Sequence, residues 1–281
     1  MNQKALRQMK KHLTNDGTPP QKIILNYPVV LVHGIVARER KDYTKFWGRI
    51  PKILTGMGIQ VFFGNTYAWD DYESNAHVLK ETIEKILLET GKEKVNIIAH
   101  SKGGLDSRYL IWKYDFGSKI ASLTTIGTPH RGSEIADLIH KQTMKHTKTS
   151  LKALLLYGKL CSDITPALHN VNHQLTTTKM KEFNEKIIMD ERVDYHSLYT
   201  TMKNPFNDVL FFHTYSHIKK TSGENDGLAS EASVKWGANI TRIKGGISHR
   251  EILDLRKRKV SGRDIPGVYI EIVKGLSEKG F

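Results

Sequence analysis

The clearest pattern along the chain is an alternation of short apolar runs with longer amphipathic segments. Four runs rich in β-branched or aromatic residues span 28–34, 59–63, 95–99 and 120–126. Such continuous runs are typical of strands buried on both faces of a parallel sheet. Between them, 74–89 and 105–114 carry apolar residues at spacings of three and four, which predicts helices. The order of elements predicts an α/β fold with a mostly parallel central sheet flanked by helices.

The alternation stops after the fourth predicted strand. No strand-like run occurs in 133–190, and we expect a helical or irregular insertion over the sheet edge there. Within it, the apolar segment 152–160 has two interpretations, a lid that opens at a lipid surface or a helix that packs on the core. Beyond the insertion, we predict a strand over 209–215, a short strand over 240–243 and a closing helix over 269–276. The expected organisation is an N-terminal arm over 1–27 and a single domain over 28–281.

The segment that carries chemistry follows the third predicted strand and reads His100-Ser101-Lys102-Gly103-Gly104. A small-x-Ser-x-Gly turn between a buried strand and a helix exposes the serine Oγ at the carboxyl edge of the sheet. Ala99 takes the first small position, where glycine is more usual, and meets nearly the same steric need. Ser101 is therefore the candidate nucleophile.

Backbone N–H groups near this serine are the candidate oxyanion-hole donors. The helix that follows Ser101 offers free N–H groups and the positive end of its dipole, which favours the Lys102 N–H. The loop after the first strand supplies the second donor in folds of this kind, and here it begins with His33-Gly34. This places the second donor at the Ile35 N–H.

Three segments resemble the bacterial true lipases of the pseudomonad type, within the α/β-hydrolase superfamily. They are PVVLVHG at 28–34, AHSKGGLDSRY at 99–109 and LTTIGTPHRGSEIAD at 123–137, and MKEFN at 180–184 matches more weakly. The resemblance covers most of residues 28–255. It implies an α/β-hydrolase fold with a helical cap at about 133–190. It also implies hydrolysis of carboxylic esters, acylglycerols among them, and no cofactor.

The resemblance further implies an acid and a base in the chain order Ser, Asp, His. The segment NDGL at 225–228 resembles the acid loop of the family, and ISH at 247–249 resembles its late histidine loop. Asp226 and His249 are therefore the expected acid and base. Taken alone, an NDG tripeptide is equally a turn signal. The chain also has 13 histidines, and those that compete for the base include His213 and His217.

Two family features meet differences in this chain. Many members hold a structural calcium ion, one ligand of which is an aspartate two residues after the catalytic histidine. Here that position is Glu251, which could equally charge the start of a short helix, and we predict no metal site. The disulfide of some members cannot form with Cys161 alone. We expect His100 and His130 to orient loops under the site.

Charge bears mainly on the choice of partner. Lys and Arg number 43 against 29 Asp and Glu, a formal net charge of +14 that favours anionic partners. No RNA-binding motif or helix-turn-helix pattern is present, so we do not expect nucleic acid as a partner. An ester or lipid substrate is expected, together with peripheral contact to an anionic lipid surface.

Two alternatives remain at this point, and the compartment is open. The same triad could act on thioesters, amides or phospholipids. A catalytically inactive hydrolase fold could instead bind anionic lipid through the basic run 256–259. No run approaches the roughly 18 apolar residues needed to span a bilayer, and no signal peptide is visible, so the cytoplasm is the default expectation. A secreted protein in its mature form would look the same.

Overall fold

A computed structural model describes residues 22–35, 46–144 and 166–281. In this part of the chain six strands form one sheet in the order β2-β1-β3-β4-β5-β6, and every neighbouring pair is parallel. The strands are β1 (Val29–Val32), β2 (Val61–Phe63), β3 (Val95–His100), β4 (Ile120–Ile126), β5 (Asp194–Thr200) and β6 (Asn239–Ile243). The predicted α/β fold class with a mostly parallel central sheet is confirmed. Because all strands run the same way, their carboxyl ends meet at one edge of the sheet.

Helices cover both faces of this sheet. They are α1 (Ile50–Gly56), α2 (Tyr72–Thr90), α3 (Gly103–Lys113), α4 (Glu134–Met144), α5 (Pro166–Gln174), α6 (Thr177–Lys186), α7 (Phe212–Thr221), α8 (Glu231–Val234) and α9 (Ile265–Glu278). Alternate strand residues point to opposite faces, so Val30 and Val32 pack under α2 and α3, whereas Val29 and Leu31 pack under α1 and α9. The result is a three-layer arrangement with a core on each side of the sheet.

Helix α2 illustrates how local sequence sets these elements. It begins after Asp71, whose carboxylate accepts a hydrogen bond from the Ser74 N–H at 2.6 Å. It ends at Gly91, which adopts a left-handed φ of 65° that glycine tolerates without steric cost. Between them the buried residues Ala76, Leu79, Ile83 and Ile86 repeat at intervals of three and four.

The predicted strand over 209–215 is wrong. Residues Val209–Phe211 form a 3₁₀ turn that continues into α7. Phe211, Tyr215 and Ile218 are buried at helical spacing, whereas Val209 is 73% exposed, so the apolar run covers one face of a helix. The strand β5 occupies the place in the sheet that the sequence pattern predicts for this run.

The described residues cover only part of the predicted insertion at 133–190. Helices α4, α5 and α6 lie within its predicted bounds, as expected of helical structure over the sheet edge. The lid segment 152–160, Cys161 and residues 1–21 lie outside the described residues. The division into an arm and a single domain stays a prediction. In the described part of the chain, no helix is both long and apolar enough to cross a membrane.

Candidate active site

Ser101 lies in the sharp turn between β3 and α3. Its φ is 54°, a left-handed value that costs a non-glycine residue energy and needs support from its surroundings. The support comes from β4 and the loop after it: the Ser101 N–H donates to the Ile126 carbonyl at 2.9 Å, and the Thr128 hydroxyl donates to the Ser101 carbonyl at 2.7 Å. The turn is therefore held on its inner side by the neighbouring strand.

Glycines allow the chain to pass very close to this turn. A Cβ placed on Gly34 would lie 2.6 Å from the Ser101 Cβ and 3.0 Å from the Lys102 nitrogen. A Cβ on Gly103 would lie 2.4 Å from the His33 carbonyl oxygen. Because real Cβ atoms do not come this close to other atoms, the β1 loop and the serine turn pack together only with glycine at both positions.

The structure brings Ser101, His249 and Asp226 into one hydrogen-bonded chain. His249 Nε2 lies 2.9 Å from Ser101 Oγ, and His249 Nδ1 lies 2.7 Å from Asp226 Oδ2. The Asp226 carboxylate is buried, and its second oxygen accepts the N–H groups of Leu228 at 3.0 Å and Ala229 at 2.8 Å. These bonds fix the carboxylate, so its free oxygen faces the imidazole.

The acid reaches the site by an indirect route. β5 ends at Thr200, and the chain then passes through two 3₁₀ turns and α7 before it returns to the sheet edge. There the Met202 N–H donates to the Asn225 carbonyl at 2.8 Å, which places Asp226 beside the end of β5. His249 follows β6 through a short loop, as expected. The competing histidines His213 and His217 lie on α7 and bond to neither Ser101 nor Asp226.

The two residues predicted to supply the oxyanion-hole donors, Ile35 and Lys102, lie near the serine. Ile35 lines the same pocket as Ser101 and His249. The Lys102 N–H has no hydrogen-bond partner within the described ranges, because Lys102 is the N-cap residue immediately before helix α3. A free N–H next to the nucleophile is what an oxyanion requires, and no other group in the described residues competes for it.

The Lys102 side chain forms an ion pair with Asp106 that the motif pattern does not predict. It is 1% exposed, and its Nζ donates to Asp106 Oδ1 at 2.6 Å. Asn75 donates to the other Asp106 oxygen at 3.1 Å. Burial raises the pKa of Asp106 to about 6, although Lys102 and Asn75 act in the opposite direction. The sequence signal for this ion pair is the spacing of four residues between a lysine and an aspartate at the start of a helix.

His100 contacts the loop that carries His249, whereas His130 contacts helix α3 and Trp236; that they orient loops under the site stays a prediction. His100 Nε2 donates to the His249 carbonyl at 2.9 Å, and burial holds the pKa of His100 well below its ordinary value. His130 accepts from Arg108 at 3.2 Å, stacks on Trp236 with ring centroids 4.6 Å apart, and its pKa is likewise lowered by burial. Both imidazoles are therefore neutral supports.

An apolar cavity of about 270 Å³ opens above Ser101 and His249. Its walls come from the loops after β1, β4 and β6 and from helices α4, α5 and α7. The apolar side chains that line it include Ile35, Phe46, Trp69, Ile135, Val171, Leu175, Leu210, Phe211, Leu228 and Leu253. Such a surface is suited to a hydrocarbon chain, and Arg250 adds a charged side chain to the lining.

Comparison with known proteins shows which family the chain belongs to. Triacylglycerol lipase 2 of Saccharomyces cerevisiae is 30% identical over 260 residues, which cover 84% of this chain and 74% of that protein. The chain belongs to the lipases of the α/β-hydrolase superfamily. A triacylglycerol lipase of Pseudarthrobacter phenanthrenivorans is 32% identical over 171 residues, 56% of this chain. The chain spans about half the length of the first such bacterial relatives, with 53% and 47% of them covered.

Two further comparisons agree with membership in this superfamily. Residues 28–188 match the family model described as palmitoyl protein thioesterase. The crystal structure of the mature Bacillus licheniformis lipase superposes with a TM-score of 0.66 at 21% identity, over 90% of this chain and 93% of that chain. At this identity the likeness shows a shared fold.

The residues around Glu251 do not fit the calcium ion that the lipase resemblance suggests at this position. Glu251 is buried and pairs with Arg256 at 3.0 Å. The nearby buried acid is Asp208, which Arg250 binds through two nitrogens at 2.6 and 2.7 Å. Calcium needs six to eight oxygen ligands. Here arginine nitrogens already occupy the carboxylates, and their charge would repel a second cation.

Proposed function

We propose that this protein is a serine carboxylic-ester hydrolase, a lipase or esterase that works through an acyl-enzyme on Ser101. The observation that carries the proposal is the Ser101–His249–Asp226 chain, with contacts of 2.9 and 2.7 Å, at the base of an apolar cavity. A nucleophile, a base and an orienting acid in hydrogen-bond contact are the parts that acyl transfer requires.

In the first half-reaction, His249 Nε2 takes the proton of Ser101 Oγ as that oxygen attacks the ester carbonyl. Asp226 holds the proton on His249 Nδ1 and stabilises the imidazolium that forms. The Ile35 and Lys102 N–H groups donate to the tetrahedral oxyanion, a contribution worth about 3–4 kcal/mol per donor. His249 then gives its proton to the alcohol, which leaves the acyl group on Ser101.

In the second half-reaction, His249 takes a proton from water as the water oxygen attacks the acyl carbonyl. The tetrahedral intermediate meets the same two donors, and collapse returns the proton to Ser101 and releases the acid. The cavity holds the acyl chain through apolar contact, so the length of the favoured chain depends on how far the substrate extends along the wall formed by α4, α5 and α7.

The test is hydrolysis of p-nitrophenyl esters of increasing acyl length by wild type, Ser101→Ala and the control Ser216→Ala. Ser216 lies exposed on α7 and, among the residues that the structure describes, donates only to the Phe212 carbonyl, so we expect its loss to leave the site unchanged. We expect Ser101→Ala to lose activity on every ester and to lose labelling by a fluorophosphonate probe. Full activity in that variant would refute the assignment. A maximum on short soluble esters identifies an esterase, and a preference for long emulsified chains identifies a lipase.

A thioester substrate is the second candidate, since residues 28–188 match the palmitoyl protein thioesterase model. The Ser101 chemistry is the same for an oxygen or a sulfur leaving group. Palmitoyl thioester and p-nitrophenyl palmitate, compared at equal concentration, separate the two. A kcat/KM at least tenfold higher on the thioester would move the assignment to this candidate.

We also propose peripheral contact with an anionic lipid surface. Leu210 and Leu255 line the cavity and are 44% and 40% exposed, and Phe206 and Val209 beside Leu210 are 74% and 73% exposed. The exposed basic run 256–259 follows Leu255 directly; Arg256 pairs with buried acids, which leaves the charges of Lys257, Arg258 and Lys259 for this contact. An apolar rim next to clustered cations supports binding to an anionic bilayer. Sedimentation with phosphatidylserine vesicles at low and high salt, against phosphatidylcholine vesicles, tests it; equal binding to both lipids would refute it.

A further inference from the structure

The loop that carries His249 is anchored on one buried carboxylate, Asp208. Asp208 lies between two 3₁₀ turns after β5, and its side chain is fully buried. The residues on either side of His249 in the chain, Ser248 and Arg250, both donate hydrogen bonds to the Asp208 carboxylate. Ser248 Oγ donates to Asp208 Oδ2 at 2.7 Å, and Arg250 donates to the two oxygens at 2.6 and 2.7 Å. The backbone of the base is therefore held from both sides by a single group.

A second acid and a second arginine extend this anchor. Glu251 is 4% exposed, and its carboxylate accepts the Ser248 N–H at 3.2 Å and lies 3.0 Å from Arg256 Nη1. The other Arg256 nitrogen lies 3.7 Å from Asp208 Oδ1. One guanidinium thus spans both acids. We refer to Asp208, Ser248, Arg250, Glu251 and Arg256 as the arginine clamp.

The charges of the clamp balance. Two buried carboxylates face two guanidinium groups whose side chains are each about one third exposed. A buried carboxylate without a partner is strongly unfavourable, so the cations are needed for the loop to fold as it does. The planar fork of Arg250 also fixes direction, which a single point charge does not.

We propose that Arg250 and Arg256 supply the positive charge that fixes the His249 loop, so that this loop requires no bound divalent cation. Arg250 is a positioning residue: it contacts Asp208, and through the backbone it sets where the His249 ring lies. The predicted effect of Arg250 on catalysis rests on the proposed function, whereas its predicted effects on stability and ion binding do not.

The first experiment measures the Tm of wild type with excess EDTA and with millimolar CaCl2, together with calcium titration by calorimetry. We expect the two Tm values to agree within about 1 °C and no heat of binding, since unbound calcium leaves the folding equilibrium unchanged. A Tm that rises with calcium, or a measurable calcium affinity assigned to this loop by its loss in Glu251→Gln, would overturn the proposal.

The second experiment compares Arg250→Met, Arg250→Lys and the control Arg263→Met. Arg263 matches Arg250 in side-chain exposure, 37% against 36%, but within the described part of the chain it pairs only with the exposed Glu271 at 3.8 Å. We expect Arg250→Met to lower the Tm by about 5–10 °C and Arg263→Met by less than about 2 °C. Arg250→Lys keeps the charge without the fork and is expected to fall between wild type and Arg250→Met.

Steady-state kinetics distinguish a positioning role of Arg250 from an effect on folding alone. With p-nitrophenyl butyrate at a temperature where every variant is folded, we expect Arg250→Met to lower kcat about tenfold or more and to change KM less. If Arg250→Met does not fold, Arg256→Met serves, with the same direction and a smaller effect. Equal Tm and kcat in the Arg250 and Arg263 variants would overturn the clamp. An inactive wild type with the expected Tm pattern would reject the proposed function and leave the clamp standing.

Discussion

The substitution Gly34→Ala tests the close approach of the β1 loop to the serine turn. The new methyl group would lie 2.6 Å from the Ser101 Cβ and 2.9 Å from the His100 carbonyl oxygen, whereas carbon atoms pack at about 3.5–4.0 Å. The loop and the turn must therefore separate by about 1 Å. A shift of this size in a catalytic group costs about 10² in rate, or roughly 2.7 kcal/mol of transition-state stabilisation.

We expect Gly34→Ala to lower kcat on p-nitrophenyl butyrate about 100-fold, with KM changed much less, because the misplaced groups act on the transition state. Overpacking should also lower the free energy of unfolding by about 1–3 kcal/mol, measured by urea denaturation. The matched control is Gly275→Ala in α9, where an added Cβ meets no atom within 4 Å. That variant should keep full activity and be slightly more stable. If Gly34→Ala retains wild-type kcat, the oxyanion geometry assigned to this loop is refuted.

Two further outcomes follow from the site. Asp226→Asn should lower kcat by roughly 10³–10⁴, because an amide facing His249 Nδ1 favours the tautomer whose Nε2 cannot accept a proton; a loss below tenfold in steady-state assays would contradict this. Burial lowers the pKa of His33, His100 and His130 below the ordinary 6.5. Each of these three imidazoles therefore gains a proton when the chain unfolds below pH 6.5, whereas Asp106, with its raised pKa, acts in the opposite direction. The free energy of unfolding, measured with urea, should be lower at pH 5.5 than at pH 7.5. The variant His130→Asn should reduce that difference, and an unchanged difference between the two pH values would argue against the buried neutral imidazole.

The serine turn could be predicted because its signal is local. The run 95–99 is buried on both faces, and the helix that follows begins at once, so strand, turn and helix are all written in one short segment. The placement of Asp226 and His249 came from the family resemblance. It could not come from the residues alone, since their meeting point depends on how a long excursion after β5 returns to the sheet edge.

Tertiary context explains the elements that the sequence did not predict. The run 209–215 has the composition of a strand, but burial of Phe211, Tyr215 and Ile218 selects a helix. β5 reads DYHSLYT, too polar to resemble a buried strand, and it is stabilised by ladders to β4 and β6. Asp208 carries no local signal either, because its partners lie some forty residues further along the chain.

The parallel sheet has a kinetic consequence. Ser101 and His249 are separated by 148 residues, and strands β4, β5 and β6 must all pair before the two side chains can meet. Pairing over such sequence distances closes large loops and is slow. Recovery of esterase activity after denaturation should therefore lag behind recovery of helical circular dichroism. Because His249 follows β6, the return of activity indicates that this last strand has joined the sheet.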